Sequence, residues 1–218
     1  MKSWRLVFTG VGGQGNLLAS RLLGEAALSA GIPAVVSEIH GMAQRGGIVE
    51  SAVLLGGVTS PVVSNGEADV LIGFEPVETL RALNKCNINT LVITNTCPLP
   101  PFTAAIGQGV YPPLNDMLRF VKKKVKKVIA LDGNALADKA GNPLSLNIVM
   151  LGALIGSKAL TISAEDVKKT ISTSTKQTFL ESNLKAFDLG FRDSQKNGNQ
   201  IDKVSLHVLE AGNIPGKN

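Results

Sequence analysis

Seven Phe, one Trp and one Tyr in 218 residues leave little with which to stack nucleic-acid bases, and no RNA- or DNA-binding signature accompanies them. Nucleic acid is not an expected partner. Cysteine is as scarce: Cys86 and Cys97 are the only two, eleven positions apart, without CxxC spacing and without a nearby His. Neither a disulfide framework nor a zinc site is indicated. Two thiolates also cannot by themselves ligate a [4Fe-4S] cluster, which takes four, and we expect no metal on this chain. Long apolar runs are missing too. Ile148 to Ile155 is short and interrupted by Gly152, well below the roughly 18–20 residues of a membrane helix. Met1-Lys2-Ser3-Trp4 runs straight into strand-like sequence without a secretory leader pattern, so we expect a cytoplasmic protein with no membrane partner.

What the chain does have is material for a core. Forty-four per cent of its residues are hydrophobic, enough for one sizeable domain. Its 22 basic and 17 acidic residues leave a mild excess of +5, which suits an anionic ligand or acidic partner. Strand-like and helical patterns alternate, predicting one α/β domain over 1–193, a Rossmann-like layered fold with a mainly parallel sheet flanked by helices. From Ser194 to Asn218 the chain reads as a polar tail.

Trp4 to Thr9 is strand-like. A helix follows from about Gln14 to Ala30, with Leu18, Leu22 and Ala26 at helical spacing, and Pro33 to Glu38 completes a βαβ unit. Ile48 to Leu55 alternates faces as a strand near the sheet periphery would. Ala68 to Gly73 and Thr90 to Asn95 read as further strands. Glu75-Pro76 starts a helix, with Glu75 as a first-turn acid. Five prolines, Pro98, Pro100, Pro101, Pro112 and Pro113, punctuate the connection from Thr96 to Pro113, and a connection of that length is usually functional. Helices are expected from Leu114, Asn147, Ala164 and Gln177, and a strand over Val128 to Leu131.

Gly10-Val11-Gly12-Gly13-Gln14-Gly15 stands where the first strand hands over to the first helix. In that context Gly10 permits a tight turn, Gly12 lets backbone approach a partner closely, and Gly15 lets helix pack near strand. Two readings stand. The stretch, with Gly13 and Gln14, could hold a dinucleotide or coenzyme A phosphate at a helix amino terminus. Glu38, 23 residues beyond Gly15, lies about where a ribose-binding acid belongs. Alternatively, the turn packs against a partner subunit.

The glycine-rich loop from Ile39 to Gly47 carries His40, Gln44 and Arg45. Arg45 is a permanent cation with a fork matched to carboxylate or phosphate, His40 titrates near neutrality, and Gln44 can donate or accept. These three are candidates for completing a site shared with another chain, and equally serve as interface or loop-stabilising residues. No Ser-His-Asp or Cys-His constellation that could react unaided is present. Lys122 to Lys124, Lys126 and Lys127 fall on the polar side of a helix end, where cations suit the dipole, and read as a solvated face.

Gly12-Gly13-Gln14-Gly15, the run from Glu38 to Gly47, and Ala68 to Pro76 together resemble three ordered motifs of one family. Asn147 to Ala153 and Asn183 to Phe187 extend the likeness over about residues 5 to 192. That family is the gamma-type subunits of 2-oxoacid:ferredoxin oxidoreductases, with a closer resemblance to the beta subunits of the indolepyruvate enzymes. The resemblance implies an enzyme subunit, inactive alone, acting in oxidative decarboxylation of aryl pyruvates. It further implies coenzyme A as substrate, electrons passing to ferredoxin, and a larger partner chain carrying thiamine diphosphate and [4Fe-4S] clusters. Asp132-Gly133 followed by Asn142 is only faintly similar to a thiamine diphosphate motif, since its leading glycine is missing and its spacing is short. The competing expectation is a stand-alone Rossmann-like NAD- or flavin-binding oxidoreductase.

Overall fold

A computed structural model describes residues 2–40, 48–57, 60–100 and 110–210, with side chains at all of these except 39–40 and 197–210. Six strands form one sheet: β1 (Trp4–Val11), β2 (Ala34–His40), β3 (Ile48–Leu55), β4 (Ala68–Gly73), β5 (Cys86–Asn95) and β6 (Lys127–Leu131). Their order across the sheet is β2-β3-β1-β4-β5-β6. Strands β1, β4, β5 and β6 are mutually parallel, whereas β3 runs antiparallel to both β1 and β2. The expected α/β class and mainly parallel sheet hold.

The first crossover departs from a simple βαβ unit. Helix α1 (Asn16–Ser29) carries the chain from β1 to β2, but β3 turns back and pairs between them, so β2 takes the edge. Strand β3 is therefore second from the edge, near the periphery as its alternation suggested, but paired on both sides. Its side chains explain this, because Val53 and Leu55 point to one core while Ala52 and Leu54 point to the other. A strand apolar on both faces has to be covered on both.

Two helical layers cover the sheet. On one face α1, α4 (Gly133–Ala140), α5 (Leu146–Gly156), α6 (Ala164–Ser174) and α7 (Gln177–Glu210) pack around Leu6, Phe8, Val70, Ile72, Ile93 and Ile129. The opposite face is covered by α2 (Pro76–Arg81), a 3-10 turn over Ala82–Lys85, and α3 (Leu114–Lys124), which seal Val7, Leu71, Val92 and Val128. The period-2 alternation of Leu6, Val7 and Phe8 assigns residues to these two cores. In α1 the buried stripe is Ala19, Leu22, Leu23, Ala26 and Ala27, while Leu18 is 46% exposed. Helix α4 was not foreseen. Asp132 caps its start by accepting the Ala135 N–H at 2.9 Å, and Gly141 ends it at φ 95°.

Helix α5 is buried at all eleven positions, as a helix apolar all round must be, lying between the sheet and α7. Glycines set that closeness. A β-carbon at Gly152 would lie 2.1 Å from the Phe187 carbonyl oxygen, and one at Gly190 only 2.0 Å from that of Val149. Helix α7 also continues to Glu210, past the polar tail expected from Ser194. Composition suggested that boundary, yet no proline lies between Asp193 and Glu210 to stop a helix. Ser194 is buried, its hydroxyl donating to the Phe191 carbonyl at 3.0 Å.

Because rigid backbone faces both glycines, Gly190→Ala should destabilise the chain by about 2–4 kcal/mol. Urea unfolding of the two proteins should show a clearly lower midpoint for the variant, with Gly141→Ala as an exposed strained control.

Candidate functional site

After β1 the chain turns through α1 toward β3 and β2; after β4 it turns through α2 toward β5. These adjacent parallel strands thus send their connections in opposite directions, and ligands of open α/β sheets bind in the crevice so formed at the carboxyl ends. The glycine stretch borders it on one side and Phe74-Glu75-Pro76 on the other.

Gln14 fills that crevice. Its Oε1 accepts the Val11 N–H at 2.8 Å and its Nε2 donates to the Phe74 carbonyl at 3.1 Å, so one side chain staples the turn after β1 to the turn after β4. The Phe74 N–H donates in turn to the Thr9 carbonyl at 2.9 Å. Gly10 makes room for this staple, since a β-carbon there would come within 2.9 Å of both Gln14 Oε1 and Phe74 Cβ. Asn95, wholly buried at the end of β5, continues the network. Its Nδ2 donates to the Phe74 carbonyl at 3.0 Å and to Asn134 Oδ1 at 2.9 Å; its Oδ1 accepts the Gly133 N–H at 3.0 Å. The ends of β1, β4 and β5 and the start of α4 are thereby tied together.

Glu75 anchors the proline-rich connection to the same place. It is the amino-terminal cap of α2, rather than a first-turn acid, and is 1% exposed. Oε2 accepts the Val77 and Glu78 N–H groups at 2.7 and 3.0 Å, while Oε1 accepts the Leu99 N–H at 3.2 Å and a short hydrogen bond from the Tyr111 hydroxyl. Burial, then the facing Glu75 carboxylate, pushes the Tyr111 phenol well above its ordinary value. It remains a neutral donor. The buried Glu78 carboxyl is also raised, chiefly by desolvation.

The remaining predicted residues divide between this sheet end and its edge. Gly12, Gly13 and Gly15 offer N–H groups with no hydrogen-bond partner among the described residues, and Gly13 and Gly15 have φ of 99° and 77°. His40 closes β2 opposite Val49, which also pairs with Gly10, and Ile48 pairs with Val11. His40 and Ile48, the residues flanking positions 41–47, therefore stand at the same end of the sheet as the glycine turn. Gln44 and Arg45 lie outside the described residues, as do the side-chain contacts of His40. Glu38 is on the edge strand with β3 between it and β1, about 10 Å away by strand spacing. In a dinucleotide fold the corresponding strands are neighbours. Glu38 instead lies near enough to Arg21 to favour its charge. The basic run at the end of α3 is exposed at Lys122, Lys123, Lys124, Lys126 and Lys127.

Sequence reasoning passed over Asn95, Asn134 and Tyr111 as members of this cluster. A polar Asn ending an apolar strand, at a level shared with two glycine-rich strand ends, was the only signal.

A family model described as pyruvate ferredoxin/flavodoxin oxidoreductase matches residues 5–192. The chain belongs to this family. It is 43% identical over 198 residues, 90% of its own length and 98% of the relative's, to an indolepyruvate oxidoreductase subunit of Pyrococcus horikoshii. A corresponding subunit of Archaeoglobus fulgidus is 39% identical, with 87% and 94% covered. Among solved structures, the gamma subunit of a keto/oxoacid ferredoxin oxidoreductase from Geobacter sulfurreducens superposes with a TM-score of 0.64 at 25% identity, covering 88% of this chain and 99% of that one. A 2-oxoglutarate:ferredoxin oxidoreductase from Magnetococcus marinus shares the fold at a TM-score of 0.68 and 19% identity, over 90% of this chain and 32% of that one. The chain is thus a subunit of a 2-oxoacid:ferredoxin oxidoreductase, as the resemblance in its motifs implied.

Family membership raises the question of clusters and thiamine diphosphate, and the residues here do not fit either. Cys86 begins β5 and Cys97 follows its end, about 30 Å apart along the strand. The faint thiamine-like residues serve as caps: Asp132 for α4, and Asn142 for the next turn, where it accepts the Leu144 N–H at 3.1 Å. No helix among the described residues is long and apolar enough to cross a membrane.

Removing the Glu75 carboxylate strands three backbone N–H groups and the Tyr111 hydroxyl. Glu75→Ala should cost about 2–4 kcal/mol and Tyr111→Phe about 1–2 kcal/mol in chemical denaturation. Burial pushes the Cys86 thiol up to about 11. At pH 8 its thiolate fraction is then on the order of one in a thousand, so a chromogenic disulfide reagent should leave Cys86 unmodified until the chain is unfolded or the pH approaches 11.

Proposed function

We propose that this chain is the small subunit of an indolepyruvate-type oxidoreductase, in which aryl pyruvates undergo oxidative decarboxylation to acyl-CoA with electrons delivered to ferredoxin. The observation that carries the reading is the 43% identity over nearly the full length of an indolepyruvate oxidoreductase subunit. Thiamine diphosphate and the [4Fe-4S] clusters belong on a larger partner subunit in the cytoplasm, consistent with the two separated cysteines and the capping roles of Asp132 and Asn142.

This chain's contribution is a wall of the shared site. Gly10, Gly12, Gly13, Gln14 and Gly15 lie at the same end of the sheet as His40 and Ile48, between which Gln44 and Arg45 fall in sequence, and Glu75 holds Leu99 and Tyr111 at that end. In this reading Arg45 supplies a fixed positive charge for a carboxylate or phosphate, His40 and Gln44 orient it, and the glycine backbone contacts an anion such as a coenzyme A phosphate. A dinucleotide reading loses support because Gln14 occupies the switch-point crevice and Glu38 is one strand too far from it.

Co-purified with the large subunit, the chain should support indolepyruvate-dependent viologen reduction that neither subunit shows alone. Arg45→Ala should lower kcat/KM by about 10- to 100-fold while leaving the complex assembled. Full activity of the large subunit alone, or tight NAD binding by this chain, overturns the proposal.

A further inference from the structure

Residues 114–127 hold six cations, Arg119, Lys122, Lys123, Lys124, Lys126 and Lys127, against one acid, Asp116. Taking these from the 22 basic and 17 acidic residues leaves 16 of each, so the whole +5 of the chain resides in this stretch and the remainder is neutral. Folding does not disperse that charge. All six cations are exposed, Asp116 pairs with Arg119 at 3.5 Å, and none of the five lysines has an ion-pair partner among the described residues. Charges that serve solubility alone are ordinarily interspersed in sign. The helix dipole accounts for Lys122 to Lys124 in the last turn of α3, and protection of a sheet edge accounts for Lys127 on β6. Neither accounts for Arg119 or Lys126.

Exposed apolar surface lies within the same patch. Phe120 is 62% exposed, and its neighbours one helical turn on are Lys123 and Lys124. Ile88, 50% exposed, stands beside Lys126, whose N–H donates to the Ile88 carbonyl at 3.1 Å. Met117 and Val121, the apolar stripe of α3, are buried against the domain's own core, so this helix has no apolar face left for a bilayer. One aromatic ring is also a poor platform for stacking successive bases. A permanent subunit interface is depleted in lysine and would have to desolvate five unpaired ammonium groups. A transient electron-transfer encounter, in contrast, buries little area and gains its rate from complementary charge.

We propose that α3 and the start of β6 form the docking surface for an electron-carrier protein with an acidic face, the ferredoxin-type acceptor of the assembled enzyme. Arg119 and the five lysines meet its carboxylates around Phe120. The proposal rests on the reading of this chain as the small subunit of such an enzyme and adds to it a place where the acceptor binds. That place is at the amino end of β6, where Lys127 pairs with Leu91, whereas the glycine turn follows the carboxyl end of the parallel strand β1. The carrier therefore docks at the opposite end of the sheet from the shared site and does not compete with substrate there.

The test compares the complex of both subunits carrying either the natural chain or the triple variant Lys122→Glu, Lys123→Glu, Lys126→Glu. Two acceptors are used, an acidic ferredoxin and methyl viologen, a small cation that needs no docking surface. The KM for ferredoxin should rise about tenfold or more in the variant, the rate with viologen should not change, and the fall of ferredoxin kcat/KM with added chloride should flatten. Lys→Gln at the same three positions removes charge without reversing it and should shift KM in the same direction by less, should the Glu variant fail to assemble. Calorimetric titration of the resting complex with ferredoxin makes the same comparison without turnover. It is therefore read separately from a lack of indolepyruvate-dependent viologen reduction, which counts against the indolepyruvate reading instead. Unchanged ferredoxin affinity in an assembled variant overturns the proposal. Failure of both variants to co-purify with the large subunit also overturns it, by assigning the patch to the subunit interface. So does loss of binding to a labelled oligonucleotide or to phosphatidylserine vesicles while ferredoxin affinity is kept, by assigning it to a different polyanion.

Discussion

The hydrogen bonds of one side-chain amide, Gln14, hold together the place where this fold divides. Strands β1 and β4 are neighbours whose following helices leave in opposite directions, and such a junction has no backbone ladder to close it above the last strand residues. Gln14 spans the opening by accepting from Val11 and donating to the Phe74 carbonyl. Asn95 approaches the same carbonyl from the other side. With both amides in place the Phe74 carbonyl has two donors, its own N–H is paired with Thr9, and three strand ends share one rigid origin.

That origin explains why a dinucleotide-like glycine spacing coexists with a family of another chemistry. In a nucleotide-binding fold the glycines clear space for a pyrophosphate at the switch point. Here Gly10 clears space for Gln14 and Phe74. Donors without a partner among the described residues lie further along, at Gly12, Gly13 and Gly15, of which Gly15 comes against Asn147 of α5.

Much of the fold was legible because it follows from local pattern. The alternation of Leu6, Val7 and Phe8, the helical spacing in α3 and α7, and the turn glycines each name an element without reference to anything distant. That β3 lies near the periphery was legible, but its insertion between β1 and β2 was not, since alternation names a strand and only pairing decides its neighbours. The run of α7 beyond Asp193 was hidden by polar composition. Among site residues, the glycine stretch could be read by spacing, but Asn95 and Tyr111 could not, because each acts through a residue 21 to 36 positions away.

By itself, then, the sequence determined the α/β class, the handover at Gly10 to Gly15, and, through its ordered motifs, the family. It also showed that this chain's cysteines cannot by themselves supply the four thiolates of a [4Fe-4S] cluster, because two is a count that folding cannot change. Tertiary structure alone decided that Gln14 closes the crevice, that Glu38 stands apart from it, and that Gly15 comes against Asn147. These depend on distances between segments far apart in the chain, set by strand order and by the close packing of α5, and no local pattern encodes them.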